Sequence, residues 1–259
     1  MTIAADATLV TIPCFSGAPW AAEQLEPLTG RRPVRTMRLP EGLDDVEAYA
    51  NFVAEQVADL PSYVLIGDSY GAVIALTVAL RQPAGLQALV LSGGFAANPL
   101  PAWKGTAARA SRFAGGPLYR LGTLGFHSWQ LTSKFDATAE VPHTQREYRR
   151  LFVENTPRGS YAARVASVID FDVREHLHRV NVSTLLITPE DDKLVGEDAA
   201  KDMLAGIPES REIVLPATGH MFRFTHPRLY AQAIIGFLDD PMHDLAGPRN
   251  SAKKSSLRS

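Results

Sequence analysis

The segment YVLIGDSYGAVIALTVAL, residues 63–80, decides the fold of this chain. Its first four residues, Tyr63 to Ile66, form a short apolar run that predicts a buried strand. Residues Ala72 to Leu80 form a nearly apolar run that ends before Gln82-Pro83, which predicts a buried helix. The residues between them, Gly67-Asp68-Ser69-Tyr70-Gly71, are therefore predicted to form a tight turn from strand to helix.

On both sides of this segment, short apolar runs continue to alternate with helical patterns. Further strands are predicted at Thr8–Ile12, Val34–Leu39, Leu86–Leu91, Thr184–Thr188 and Glu212–Leu215. Further helices are predicted at Leu43–Leu60, Glu197–Leu204 and Pro227–Leu238. Short strands that are apolar on both faces and alternate with helices predict an α/β fold, in which helices cover both faces of a mostly parallel sheet.

The alternation stops between residues 95 and 178, where the patterns are helical or irregular. Helix candidates lie at Gln145–Glu154 and Gly159–Ile169. Residues 95–180 carry a net charge of +5, whereas the rest of the chain carries −7. We therefore predict a helical cap, residues 95–178, inserted after the strand that ends near Leu91. The core would comprise residues 1–94 and 179–245, and the polar, basic segment 246–259 is predicted to be a disordered tail.

Composition excludes several classes of function. The longest nearly apolar stretch has nine residues, whereas a helix that spans a bilayer needs about 20. The first ten residues carry no Lys or Arg and therefore lack the basic region with which a secretory signal begins. A cytoplasmic location is therefore expected. The 26 basic and 28 acidic side chains offer no excess positive field for nucleic acid. A single cysteine, Cys14, permits neither an internal disulfide nor a zinc-thiolate cluster, so we expect no metal. The oligomeric state stays open.

Ser69 is the first candidate for chemistry, because the turn places it at the amino end of a buried helix. Small residues two positions on either side, Gly67 and Gly71, allow such a turn to close. A serine hydroxyl is a poor nucleophile by itself. It needs a base within hydrogen-bond reach and a carboxylate that orients that base.

The best candidate base among the seven histidines is His220. It lies in Ala217-Thr218-Gly219-His220, directly after the last predicted strand, where an α/β sheet presents side chains at its carboxyl edge. The acid should follow an earlier strand. The segment Pro189-Glu190-Asp191-Asp192-Lys193 offers three adjacent carboxylates, and the residues alone do not choose among them.

With these motifs the chain resembles the α/β-hydrolase fold superfamily, over nearly everything from Thr8 to Leu238. The family's acid-loop pattern G-x-x-D-x-x-V, laid on residues 189–195, selects Asp192, with Asp191 as the fallback. The resemblance therefore implies a triad of Ser69, Asp192 and His220, with residues 95–178 as a cap above the pocket. Members of the family that use an aspartate nucleophile are disfavoured, because the central position here is serine.

The resemblance also implies two backbone donors for an oxyanion. One is the Tyr70 N–H, which follows the nucleophile. The second is expected from the loop after the first strand, where the family usually has His-Gly and this chain has Pro13-Cys14-Phe15. Phe15 N–H is the predicted donor, and Cys14, Phe15 and Tyr70 are predicted to contact the substrate. Cys14 is expected to be a pocket-lining side chain rather than a second nucleophile.

The function expected from these residues is hydrolysis of a carboxylic ester, thioester or lactone through an acyl-enzyme, without a cofactor. The substrate would be a small acyl compound, and whether it is anionic or carrier-bound stays open because the cap carries Arg109, Arg112 and Arg120. Cleavage of a carbon–carbon bond, acyl transfer and cofactor-free lyase chemistry are alternatives on the same scaffold. A non-catalytic ligand-binding protein is a further one. The apolar roof of the pocket is predicted at Trp103, Phe113, Tyr119, Phe126, Trp129 and Phe135.

Overall fold

The computed structural model describes residues 3–99, 139–141, 144–192 and 194–241. The predicted aromatic roof, the three cap arginines and the predicted tail lie outside these residues. Strands and helices are numbered below in chain order within the described part of the chain.

Six strands form one sheet in the order β2-β1-β3-β4-β5-β6, and every neighbouring pair is parallel. The mostly parallel sheet predicted from the sequence is thereby confirmed. The strands are β1 (Thr8–Ile12), β2 (Val34–Thr36), β3 (Tyr63–Asp68), β4 (Leu86–Ser92), β5 (Ser183–Pro189) and β6 (Ser210–Leu215).

Helices cover both faces of the sheet, also as predicted. The helices are α1 (Ala22–Thr29), α2 (Val46–Gln56), α3 (Tyr70–Ala79), α4 (Gln145–Asn155), α5 (Arg158–Ser167), α6 (Glu197–Gly206), α7 (Phe222–Thr225) and α8 (Pro227–Asp239). Successive side chains of β3 enter different cores: Leu65 packs with α2, α3 and α6, whereas Val64 and Ile66 pack with α1 and α8. This two-sided burial explains why the strands are apolar without alternation.

Some elements differ from the sequence prediction. Strand β2 ends at Thr36 rather than Leu39, and α2 is shorter than the predicted Leu43–Leu60. Helix α1 was not predicted, because it is short, contains Pro27 and buries only Gln24 and Leu28. The four-residue α7 is too short to show a helical period.

The two ends of the predicted cap segment lie side by side. Ala97 bridges to Asp172, the Asn98 N–H donates to the Phe171 carbonyl at 3.0 Å, and the Val173 N–H donates to the Ala96 carbonyl at 2.8 Å. Helices α4 and α5 occupy the described part of this segment close to the predicted positions. The cap and its boundaries stay a prediction, since residues 100–138 lie outside the described ones.

Of the helices in the described ranges, none combines the length and the apolar character that crossing a membrane requires.

Candidate active site

The turn at Ser69 holds the backbone in a strained conformation. Strand β3 ends at Asp68 and α3 begins at Tyr70, with Ser69 between them at φ +54° and ψ −113°. Residues other than glycine rarely adopt a positive φ, because this conformation costs about 1–3 kcal/mol. The surrounding structure must offset that cost. The turn leaves the Ser69 side chain at the carboxyl edge of the sheet, where parallel α/β folds bind ligands.

Gly67 and Gly71 give this turn the space that it needs. A Cβ atom at Gly67 would overlap the backbone of Gly71, and one at Gly71 would overlap the backbone of Ile12 in β1. The glycines of the motif are therefore required by close backbone approach between the turn, α3 and the neighbouring strand.

The three residues predicted to form a triad are joined by hydrogen bonds. His220 Nε2 lies 2.9 Å from Ser69 Oγ, and His220 Nδ1 lies 2.8 Å from Asp192 Oδ2. Ser69 follows β3, Asp192 follows β5 and His220 follows β6, so parallel pairing brings all three to one edge of the sheet. The side chains of His220 and Asp192 are only 6% and 3% exposed.

The other two carboxylates of the acid loop take different positions. The Asp191 N–H donates to the Thr218 carbonyl at 2.9 Å, and the Glu190 side chain accepts a hydrogen bond from the Ala217 N–H at 2.8 Å. These contacts attach the loop after β5 to the loop that carries His220. Asp192 is the member of the run whose carboxylate meets the imidazole.

The charges of Asp192 and His220 stabilise each other. Burial alone would raise the pKa of Asp192, but His220 and the N–H groups of Leu194 and Val195, at 2.8 and 3.1 Å from Oδ1, lower that pKa below its usual 3.8. Burial alone would lower the pKa of His220, but the charge of Asp192, its hydrogen bond and the charge of Asp68 raise that pKa above 6.5. Asp192 thus holds its charge and a fixed partner at Nδ1.

A buried ion pair that the sequence did not reveal lies directly beside Ser69. Arg223 Nε donates to Asp68 Oδ2 at 2.6 Å, and the two side chains are 2% and 4% exposed. Arg223 also donates to Gln24 Oε1, and its guanidinium lies 4.8 Å from the centre of the Trp20 ring. The only sequence signal is an arginine amid the apolar residues of Met221-Phe222-Arg223-Phe224.

A small pocket, called the cavity below, opens beside Ser69 and His220. Its lining is largely apolar, and includes Phe152 from α4 in the predicted cap segment. Cys14 lines it too, half-buried, with its Sγ 3.5 Å from Ser16 Oγ and 3.9 Å from Arg223 Nη2. The other lining residues are Phe15, Asp68, Ser69, His220, Met221 and Phe224.

The side chains of the two residues that carry the predicted oxyanion donors pack against each other. The rings of Phe15 and Tyr70 are stacked, with centroids 4.7 Å apart and planes 16° apart. Tyr70 is the first residue of α3, so its N–H belongs to the helix end that lacks intrahelical acceptors. Neither Cys14 nor Phe15 has a positive φ, so the missing glycine of the family pattern does not strain this loop. Among the three predicted substrate contacts, Cys14 and Phe15 line the cavity, whereas the Tyr70 side chain is fully buried.

The remaining histidines of the described chain lie outside this arrangement. His176 and His178 are exposed, and His226 is buried with its Nδ1 2.8 Å from Thr225 Oγ1. His127, His143 and His243 lie outside the described residues. Within the described ranges, no three His, Cys, Asp or Glu side chains are grouped so that they could hold a metal ion.

Comparison with known proteins identifies the family. The sequence model of the Alpha/beta hydrolase family matches residues 9–233. The chain belongs to this family. Among individual proteins, the "Putative carbamate hydrolase RutD" of Variovorax paradoxus is 25% identical over 214 residues, covering 78% of this chain and 77% of that protein.

Two solved structures share the fold. A hydrolase from Pseudomonas aeruginosa superposes with a TM-score of 0.75 at 21% identity, covering 92% of each chain. A thermophilic esterase from Thermogutta terrifontis superposes with a TM-score of 0.74 at 21% identity, covering 93% of this chain and 92% of that one. Membership of the alpha/beta hydrolase family supports hydrolysis as the general activity of this chain.

Proposed function

We propose that this hydrolase cleaves a carboxylic ester, thioester or lactone, with Ser69 as nucleophile, His220 as base and Asp192 as the acid that orients it. One observation carries the proposal: the continuous hydrogen-bond chain from Ser69 Oγ through the His220 ring to Asp192, with distances of 2.9 and 2.8 Å. Such a chain supplies what a serine hydroxyl lacks, namely a positioned acceptor for its proton.

In the first half of the reaction, Ser69 Oγ attacks the carbonyl carbon while its proton passes to His220 Nε2. The oxygen of the tetrahedral intermediate gains negative charge, for which the N–H groups of Tyr70 and Phe15 are the proposed donors. His220 then gives the proton to the departing alcohol or thiol, which leaves an acyl group on Ser69. In the second half, water gives its proton to His220 and attacks the acyl carbon, and the proton returns to Ser69 Oγ.

Asp192 acts through His220. Its carboxylate accepts a hydrogen bond from Nδ1–H, which leaves Nε2 unprotonated and facing Ser69. The two backbone N–H groups on Asp192 Oδ1 keep the carboxylate ionised and oriented. The negative charge of Asp192 also stabilises the imidazolium that forms when Ser69 attacks.

The residues that line the cavity favour a substrate with a small, uncharged acyl group. Phe15, Phe152 and Phe224 contribute apolar walls, and the charged Asp68 in the lining is neutralised by Arg223. A carbamate is a second candidate substrate class, favoured by the similarity to RutD, a relative that is named as a carbamate hydrolase. Its carbonyl would be attacked by the same serine, so both classes use one site.

The test is turnover of p-nitrophenyl acetate, p-nitrophenyl butyrate and a p-nitrophenyl carbamate by the wild type and by Ser69→Ala. We expect the wild type to release p-nitrophenol. The rate should fall by about 10³-fold or more in Ser69→Ala, as it does when a member of a catalytic triad is removed. An equal rate in the two proteins would contradict the role of Ser69. No turnover of any acyl compound would favour the ligand-binding alternative.

A further inference from the structure

Arg164, on helix α5, is a fully buried guanidinium that the proposed mechanism does not use. It is 1% exposed. A buried charge is costly unless hydrogen bonds satisfy it. The acceptors of its hydrogen bonds are all neutral, in contrast to the carboxylate that meets Arg223. They are Tyr49 Oη at 3.0 Å and the carbonyl oxygens of Phe15 at 2.9 Å, Pro40 at 3.0 Å and Leu39 at 3.3 Å.

The Phe15 carbonyl belongs to the loop that carries the proposed second oxyanion donor. This loop closes as a turn in which the Gly17 N–H donates to the Cys14 carbonyl at 2.9 Å. Gly17 has a φ of +71°, and a Cβ atom there would fall on the guanidinium of Arg164. The turn therefore rests directly against the guanidinium, and its conformation depends on that group.

The same helix also holds the first donor residue, Tyr70. Ser167 donates its hydroxyl proton to the Arg164 carbonyl at 2.8 Å, so its oxygen accepts the hydrogen bond from Tyr70 Oη at 2.9 Å. Burial raises the pKa of Tyr70, which keeps the phenol protonated as the donor. One turn of α5 thus contacts the two residues whose N–H groups would bind the oxyanion.

The aromatic rings between these contacts fill the remaining space. The rings of Phe15 and Tyr70 stack on each other. A third ring, that of Tyr161 on α5, lies edge-on to Phe15 with centroids 5.9 Å apart. Tyr49, which accepts from Arg164, lies edge-on to Tyr70 at 5.6 Å. The main-chain positions of Phe15 and Tyr70 are therefore coupled through side chains that are packed on α5.

We propose that Arg164 is a positioning residue for the oxyanion hole. Its planar guanidinium donates hydrogen bonds to the carbonyls of Phe15, Leu39 and Pro40. These bonds fix the Cys14–Gly17 turn relative to Tyr70. Donors in an oxyanion hole stabilise the transition state only when they are oriented beforehand, and a displacement of about 1 Å costs on the order of 10²-fold in rate. The inference rests on the proposed serine-hydrolase function.

The test compares Arg164→Met with Arg150→Met. The control removes an exposed arginine on α4 whose Nε lies 3.9 Å from Glu154. For p-nitrophenyl butyrate we expect Arg164→Met to lower kcat by about 10–100-fold, with KM changed less than about threefold. The affinity for phenylboronic acid, which forms a tetrahedral adduct with an active serine, should fall by a similar factor. The control should match the wild type.

If Arg164 only supported the general structure of the site, its loss would also shift the pH midpoint of the acidic limb of activity. This midpoint should be unchanged in Arg164→Met, because the guanidinium contacts neither His220 nor Asp192. Arg164→Lys is the second variant, used if Arg164→Met does not fold. It keeps the charge but cannot span three carbonyls, and it should lower kcat by about 3–10-fold at constant KM.

The outcomes separate this inference from the function on which it rests. A wild type without Ser69-dependent turnover would reject the proposed function. Ser69-dependent turnover with unchanged kcat and boronate affinity in a folded Arg164 variant would reject the positioning role alone. A loss confined to KM would also reject it, because the oxyanion exists only in the transition state and intermediate.

Discussion

At the scale of single residues, the charge of Asp192 decides the protonation of His220. His220 must be neutral to accept the Ser69 proton, and its charged form is held by Asp192 at 2.8 Å. Burial alone would lower the pKa of His220, but Asp192, with a contribution from Asp68, raises that pKa above 6.5. Activity should therefore fall as the pH drops through a midpoint that lies above 6.5 in the free enzyme.

Asp192→Asn tests this assignment. Removing the carboxylate leaves burial as the dominant influence on His220, so its pKa should fall and the acidic limb of kcat/KM should move to lower pH. The plateau should also drop by about 10³–10⁴-fold, because Asn no longer selects the productive tautomer. The measurement is kcat/KM for p-nitrophenyl acetate between pH 5 and 9.

Asp191→Asn is the matched control for that experiment, since it changes the same charge one residue away. Its main chain contacts Thr218, and the substitution should leave the plateau within about threefold of the wild type. If Asp191→Asn were the slower variant, the acid would be reassigned to Asp191.

At the scale of elements, α7 connects the end of β3 to the core through Arg223. Its guanidinium donates hydrogen bonds to Asp68, which directly precedes Ser69, and to Gln24 in α1. Removing one partner of a buried ion pair leaves the other charge without compensation. The pair thus binds three separate elements around the Ser69 turn.

Arg223→Met should reduce the free energy of unfolding by about 3–5 kcal/mol, since it leaves Asp68 buried and unpaired. Arg35→Met is the control. It breaks an exposed pair with Asp59 at 2.6 Å and should lower the unfolding midpoint far less than Arg223→Met does, because solvent screens exposed ion pairs. Urea unfolding followed by circular dichroism measures both. Equal midpoints for the two variants would contradict the structural role of the buried pair.

The same scale shows what the sequence could and could not predict. Strands β1, β3, β4 and β5 were predicted because burial on both faces leaves continuous apolar runs that end at turn residues. The roles of Arg164 and Arg223 could not be predicted, because their partners lie far away in the chain. Arg164 and Phe15 are 149 residues apart, and Arg223 and Asp68 are 155 apart. Only the folded chain brings such pairs together.

At the scale of the whole molecule, the parallel sheet is what brings the candidate site together. Ser69, Asp192 and His220 follow strands β3, β5 and β6, and parallel strands all end at the same edge. The sequence predicted these residues from strand ends and family motifs, whereas their hydrogen bonds depend on the register of the sheet. We propose that this convergence makes the Ser69 hydroxyl nucleophilic.

The nucleophilicity of Ser69 can be measured by intact-mass spectrometry after treatment with a fluorophosphonate. We expect one phosphonyl group per chain in the wild type, located on Ser69 by peptide mapping. The adduct should be absent in Ser69→Ala and should form at least about 10³-fold more slowly in His220→Ala. Equal labelling of the three proteins, or labelling of Cys14 instead of Ser69, would contradict the account.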